Sequence, residues 1–379
     1  MASTIQIDRL LETCVKKNAS DLHLAVGRPP LLRLHGHLRD LQTKILEPED
    51  TMALMKSITP ERIQQEFEET GSGDFGFAYG EEARFRVAIF KQKGCASLVL
   101  RKIPNKIMTF QQIGLPKMAE QICRRPRGIF LVTGPTGSGK TTTLYTALKA
   151  LNSSERKIFT VEDPIEYQLA GINQVQVQPA IGLTFPHALR SILRQDPDII
   201  MIGEIRDLET ARIAIQASLT GHLVFSTLHT NSAAATITRL IDMGVENYLI
   251  ASTVKGVEAQ RLVRRLCPHC ARPHEAGAYW AETFARDVAG IAALGRADVR
   301  QPHGCSRCGG TGFSGRSTIA ELLLVDTEIH RLVLAGVSDS EIDASARERG
   351  MTSMYASGAY KVWRGETTVE EVLRATRMG

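Results

Sequence analysis

The chain has 379 residues, 43% of them hydrophobic and 23% charged, with a formal net charge of +5. That length provides for two or three domains with cores of their own, and the ordinary composition excludes a fibrous or wholly disordered chain. The mild basicity is compatible with an acidic protein surface, nucleic acid or anionic lipid and singles out none of them.

The start, MASTIQIDRLLETCVKK, carries Asp8 and Glu12 and no apolar block, so it does not read as a signal peptide. No apolar run approaches the ~18 residues of a membrane span, and a cytoplasmic location is the expectation. Residues 1–103 read as a small α+β unit. A helical stretch, Ile5 to Lys16, precedes short alternating segments at Leu22–Ala25, Leu31–Leu34, Asp74–Tyr79, Arg84–Phe90 and Ala96–Arg101. Between these, Pro48–Ile58 and Pro60–Phe67 show helical spacing with proline near each start. Residues 104–112, around Pro104, read as a linker.

Residues 113–262 alternate strands with helices. GIFLVT (Gly128–Thr133), KIFTVE (Lys157–Glu162), DIIMIG (Asp198–Gly203) and HLVFST (His222–Thr227) have apolar or β-branched centres, as strands covered on both faces do. The fold class expected is α/β, a parallel sheet with helices on both faces. Residues 263–379 read as a cysteine-punctuated insertion followed by a helical tail. Helices are expected over Glu275–Arg300, Ser338–Arg349 and Thr367–Arg377, with Ser338/Glu341 and Thr367/Glu370 spaced as capping boxes. There is no internal repeat and no low-complexity tract.

GPTGSGKT carries the strongest chemical signal: Gly134, Pro135, Thr136, Gly137, Ser138, Gly139, Lys140 and Thr141, followed by Thr142 at the head of a helix. It fits G-x-x-x-x-G-K-[ST] between an apolar strand and a helix. Glycines let backbone N–H groups face phosphate oxygens, and the helix N-terminus adds partial positive charge. Lys140 is expected on the β and γ phosphates of ATP and the Thr141 hydroxyl on Mg²⁺. Acids stand at two further strand ends. Glu204 follows DIIMIG, and Glu162 and Asp163 end KIFTVE, with Glu166 close behind. Ligands of open α/β sheets gather at the carboxyl ends of the strands. One of Glu162 and Glu204 is expected to polarise the attacking water while the other helps hold Mg²⁺ or water. His229, after HLVFST, is placed to sense the γ-phosphate, whereas His222, before that strand, divides evenly between this role and a turn.

These blocks, in this order, resemble the type II/IV secretion ATPase superfamily: its Walker A (GPTGSGKT), Asp box (TVEDPIEY), Walker B (IIMIGEIRD, led by LRQDPD) and His box (TGHLVFSTLHTN). ASDLHL (Ala19–Leu24) and RFRVAIF (Arg84–Phe90) extend the likeness to the N-terminal unit. The resemblance implies a PAS-like N-terminal lobe on a flexible linker, a RecA-like lobe, ATP between them and a homohexameric ring. It implies that N-terminal arginines, here Arg84, Arg86 and Arg101, reach the phosphates, with Arg190 and Arg194 as weaker candidates. It implies a motor that drives an inner-membrane platform protein in secretion or pilus assembly, touching the membrane only peripherally. A retraction motor and a RecA-like nucleic-acid motor are the alternatives. No aromatic-interleaved basic stripe supports the second, and no direct nucleic-acid contact is expected.

Seven cysteines divide into two groups. Cys14, Cys95 and Cys123 are scattered and read as buried thiols. Cys267, Cys270, Cys305 and Cys308 form two C-x-x-C pairs, which present four thiolates to one structural Zn²⁺ with no coordination position left open. Gly309, Gly310 and Gly312 suit the tight knuckle, and His269 and His303 are bystanders. The tetrad resembles the assembly or secretion branch of the superfamily, whereas the short N-terminal region resembles the retraction branch.

Overall fold

The computed structural model describes residues 5–34, 36–80, 83–103 and 107–376, in two compact units: Met1–Lys106 with Ile165–Gln168, and Ile107–Pro164 with Leu169–Gly379. Pro104 and the start of the expected linker lie outside the described residues, as does Arg377.

The first unit holds α1 (Ile7–Lys16), β1 (Asp21–Leu24), β2 (Leu31–Leu34), β3 (His37–Asp40), α2 (Pro48–Ile58), α3 (Glu61–Thr70), β4 (Ser72–Tyr79), β5 (Ala83–Gln92) and β6 (Cys95–Ile103). Helix α1 buries Ile7, Leu10, Leu11 and Cys14, the i, i+3, i+4, i+7 stripe of an amphipathic helix. The strands pair antiparallel in the order β3-β2-β1-β6-β5-β4. Along β5, Ala83, Phe85, Val87 and Ile89 face the core while Arg84 and Arg86 take the other face. Cys95, expected to be buried, opens β6 half-exposed beside the Lys93–Gly94 turn.

The second unit begins with α4 (Phe110–Ile113) and α5 (Lys117–Cys123), then β7 (Gly128–Thr133), α6 (Lys140–Leu151), β8 (Ile158–Glu162), β9 (Asn173–Gln176), α7 (Phe185–Ile192), β10 (Ile199–Ile202), α8 (Leu208–Leu219) and β11 (Leu223–Leu228). There follow α9 (Ala233–Asp242), α10 (Asn247–Thr253), β12 (Val254–Leu266), β13 (Arg272–Pro273), α11 (Gly277–Asp287), β14 (Arg300–Gln301), β15 (Phe313–Leu324), α12 (Thr327–Ala335), α13 (Asp339–Glu348), α14 (Met354–Trp363) and α15 (Val369–Thr376). Seven strands form one mixed sheet, β15-β12-β7-β11-β10-β8-β9, parallel except for the β12–β15 pair. All residues of β7, β8, β10 and β11 are buried, which matches their apolar sequences.

The sheet extends past the stretch expected to hold it. β12 was hidden by its polar letters, because Glu258, Gln260 and Arg261 are buried within it. β15 returns from the cysteine segment to pair with β12, so the region after Cys267 is not an insertion with a purely helical tail. The expected helix over Glu275–Arg300 is α11 and a short 3₁₀ turn at Ile291–Leu294. Phe284 and Ile291 from this excursion cluster with Val362 and Trp363 of α14 and Val372 of α15. Capping follows local chemistry: Asp207 accepts from the Thr210 N–H at the head of α8, and Ser338 with Glu341 closes the box on α13. At α15 the expected Thr367/Glu370 box is one residue out of register. Thr368 accepts from the Glu371 N–H, while the Thr367 hydroxyl donates to the Arg264 carbonyl of β12. Among the described residues no helix is long and apolar enough to cross a membrane.

Candidate functional site

β7 delivers the chain to Gly134, whose φ of 140° only glycine adopts readily. A Cβ there would lie 2.4 Å from the Gln260 carbonyl oxygen, so the position has neither the conformation nor the room for a side chain. Gly137 and Gly139 also have positive φ, and α6 starts at Lys140 with no side chain capping it. Lys140 is buried, and its Nζ donates to the carbonyls of Gly134 (2.8 Å) and Pro135 (3.2 Å). Burial lowers the Lys140 pKa, and the negative charge of Glu204 partly offsets that. The ammonium thus lies within the field of Glu204. Ser138 is buried with its Oγ unpartnered, while Thr141 is exposed and Thr142 half-buried at the first turn of α6.

The loop carrying Glu204 is pinned from both neighbouring strands. The Gly203 N–H donates to the Val161 carbonyl of β8, the Ile205 N–H to the Thr227 carbonyl of β11, and the Thr227 hydroxyl to the Gly203 carbonyl at 2.7 Å. Glu204, largely buried, receives a hydrogen bond from Arg206 and stands 3.5 Å from His229 Nε2. Arg206 has its pKa raised first by that bond and, further down, by the charge of Asp163. Glu204, Arg206 and His229 therefore gather at the tips of β10 and β11, with Arg206 in the field of Asp163 at the tip of β8 and Lys140 in the field of Glu204.

Glu162 ends β8 almost fully buried, in a different environment. It accepts hydrogen bonds from the Tyr145 hydroxyl, the Thr160 hydroxyl (2.6 Å) and Gln174 Nε2 (3.0 Å). Its carboxylate is fixed between α6, β8 and β9. His222 sits at the opposite edge of the sheet, where its Nδ1 pairs with the Ala217 carbonyl and the Thr220 hydroxyl at the end of α8. It is a turn residue and not part of the group. Arg190 is tied to Glu209, and Arg194 is exposed.

Two contributors carried no motif signal. The Thr133 hydroxyl, at the end of β7, joins the Thr230 hydroxyl at 2.6 Å and accepts from the Thr230 N–H at 2.9 Å, fastening the loop of His229 to the strand under the phosphate loop. Gln260, fully buried on β12, donates from Nε2 to the Ser138 carbonyl at 2.8 Å and accepts from the Thr143 hydroxyl at 2.7 Å.

In the first unit Arg84, Arg86 and Arg101 share one sheet face, since Arg86 and Arg101 are directly opposed between β5 and β6. Arg101 pairs with Asp21 at 3.1 Å, and Arg86 faces Asp74 (3.9 Å) and Glu166 (3.5 Å), the latter in the short segment that clusters with this unit. Arg84 lies over Gly76, where a Cβ would meet its guanidinium.

Cys267, Cys270, Cys305 and Cys308 bring all four sulfurs within 4.8 Å of one another, with neighbouring pairs at 3.7, 3.8 and 4.0 Å. A tetrahedron with metal–sulfur bonds of about 2.3 Å has edges of about 3.8 Å, whereas a disulfide brings sulfurs to about 2 Å. The donor set fits Zn²⁺. N–H groups of Cys305 and Gly312 each point at the Cys308 sulfur at 3.2 Å, and Gly309, Gly310 and Gly312 all have positive φ. Desolvation works against the Cys308 thiolate, yet those N–H groups and the neighbouring thiols hold its pKa down to about 6. His269 contacts Arg307 and His303 is exposed, so both stand outside the tetrad.

Residues 2–374 match the family model described as "Type II/IV secretion system protein". Over 304 residues the chain is 51% identical to the type II secretion system protein E of Xanthomonas campestris pv. campestris, covering 78% of this chain and 53% of that protein. It is 43% identical over 391 residues to the type II secretion system protein E of Pseudomonas aeruginosa, covering 98% and 75% respectively. Among solved structures, the pilus retraction motor PilT with bound ADP aligns at a TM-score of 0.77 and 32% identity, over 98% of this chain and 97% of that one. The chain spans about half the length of the Xanthomonas relative.

Proposed function

The chain belongs to the type II/IV secretion system protein family, and from that premise we propose that it is an ATP-hydrolysing motor of a secretion or pilus-assembly machine. The observation that carries this reading is the gathering of Glu204, Arg206 and His229 at the tips of β10 and β11, where β11 lies beside β7, the strand that leads into the Lys140 loop. Lys140 would exchange its contacts with the Gly134 and Pro135 carbonyls for the β and γ phosphates of ATP, and the Thr141 hydroxyl would hold Mg²⁺. That ion supplies neutralising charge to the phosphate oxygens. Glu204 orients the attacking water, His229 reports on the γ-phosphate through its contact with Glu204, and Glu162 with Asp163 fixes the neighbouring strand tip. Arg84, Arg86 and Arg101 are the candidates to stabilise charge on the γ-phosphoryl group from the N-terminal, PAS-like lobe.

The working unit under this proposal is a homohexamer, docked on an inner-membrane platform protein and peripheral to the membrane. In the proposed division 104–112 is the linker, 113–262 the RecA-like lobe and 263–379 the zinc-binding region, with the correction that the end of β12 and all of β15 complete the lobe's sheet from that last region. The cysteine tetrad and the 51% identity to a secretion protein favour secretion or assembly. A retraction motor is the second reading, favoured by the alignment over nearly the full length of a retraction motor. Mg²⁺-dependent phosphate release from ATP by the purified chain, lost in Lys140→Ala, tests the proposal. Turnover that survives Lys140→Ala would remove the phosphate loop from the reaction.

A further inference from the structure

One buried amide reaches the phosphate loop from outside. Gln260 has no solvent exposure and lies on β12, beside β7 in the sheet. Its Nε2 donates to the Ser138 carbonyl and its Oε1 accepts from the Thr143 hydroxyl. Its main-chain oxygen lies 2.4 Å from where a Gly134 Cβ would stand, and its Nε2 lies 3.1 Å from that point at Gly139. A single residue therefore touches the loop at 134, 138 and 139 and the first turn of α6.

The chemistry fixes which way the amide points. A peptide carbonyl only accepts, so the NH₂ faces Ser138 and the oxygen faces Thr143. The Ser138 carbonyl and the Gly139 N–H belong to one trans peptide unit and point in opposite directions. Drawing that carbonyl outward turns the Gly139 N–H into the hollow of the loop, where phosphate oxygens need donors. We propose that Gln260 is a positioning residue for the nucleotide, holding the Ser138–Gly139 peptide with its N–H toward the phosphates. This rests on the reading of the loop as an ATP site.

Gln260→Glu keeps the size of the side chain and makes its donor depend on pH. Protonated, the carboxyl donates to Ser138 and accepts from Thr143 as the amide does. Ionised, it sets an acceptor against the carbonyl and a negative charge beside the phosphates. Gln260→Met fills the space with neither bond at any pH. The experiment measures ATP hydrolysis and the binding of a fluorescent ADP analogue for the wild type and both variants, from pH 5.5 to 8.5, with circular dichroism to check folding. The expected result is a KM for ATP and a Kd for the ADP analogue raised about tenfold in Gln260→Met throughout, with kcat changed far less, as one unpaired buried carbonyl would cause. Gln260→Glu should stay near wild type at low pH and weaken about tenfold or more as its carboxyl ionises, an extra ionisation that the wild type and Gln260→Met lack.

Wild-type affinity in both variants across the pH range would overturn the proposal. If Gln260→Glu does not fold, unchanged KM and Kd in Gln260→Met overturn it, and loss of the fold in both replaces positioning with a purely structural role. A wild-type chain that hydrolyses no ATP sinks the reading of the site instead, so the two failures are separable.

Discussion

The phosphate loop and the cysteine tetrad are both sharp, glycine-rich turns at the ends of strands in one sheet, yet they are held in opposite ways. Around the loop, the carbonyls of Gly134, Pro135 and Ser138 are each engaged by a side chain that folding alone puts in place, Lys140 or Gln260. Around the tetrad, the sulfurs meet chiefly one another and a few N–H groups. Four thiolates within 4.8 Å of one another repel unless a cation sits among them. One site is organised by packing before its ligand arrives, and the other, in the proposed reading, would take its shape from an ion. Pre-organisation suits a ligand that must come and go with each turnover, while a permanent ion can supply folding energy outright.

The largest effect expected from this contrast is at the tetrad. Cys308→Ser, or extraction of the metal by a chelator, should remove on the order of 10 kcal/mol of local folding energy. Hydrogen exchange should then report opening between Cys267 and Cys308 while β7 and α6 stay protected. Nucleotide affinity that collapses together with the tetrad would break the comparison. Lys140→Ala comes next: ATP turnover should fall by about 10² to 10³ or more, as when a charge-stabilising donor is removed, with the melting temperature little changed.

A smaller effect comes from Glu258, buried on β12 with both carboxylate oxygens unpartnered. Desolvation pushes its pKa up to about 8, so the folded chain holds a proton that the unfolded chain releases near pH 4.5. Stability then declines as pH rises from about 4.5 to about 8 and levels off beyond. Thermal melts should show that decline, amounting to a few kcal/mol, and Glu258→Met should flatten it. A decline that persists in Glu258→Met would assign it to other groups. The smallest effect is expected from Glu162→Gln. Tyr145, Thr160 and Gln174 all donate to this carboxylate, so an NH₂ in its place leaves one donor facing another. Chemical denaturation should show a loss of about 1 to 3 kcal/mol.

What the sequence made legible was whatever local chemistry dictates. The four apolar strands stand within a residue of their expected limits because burial on both faces demands apolar letters throughout. The cysteine spacing pointed to a shared ion, and the sulfurs converge as one tetrahedron would require. β12 escaped notice because its polar residues are buried by partners distant in sequence: Gln260 by Ser138, and Glu258 in the core. β15 escaped because its opening, Phe313-Ser-Gly-Arg-Ser, carries no alternation, and its pairing with β12 spans the whole cysteine excursion. Within the site, the motif letters named Lys140, Glu204 and His229 but could not rank the two acids. Glu162 is locked by three donors and Glu204 shares the field of Lys140, a distinction that tertiary contacts alone draw.

The claim that Glu204 acts on ATP held by the phosphate loop is tested most directly by Glu204→Gln, with nucleotide affinity and single-turnover hydrolysis measured on the same preparation. The account predicts ATP bound about as tightly as in the wild type and cleaved at least about 100-fold more slowly. Cleavage at the wild-type rate would contradict it.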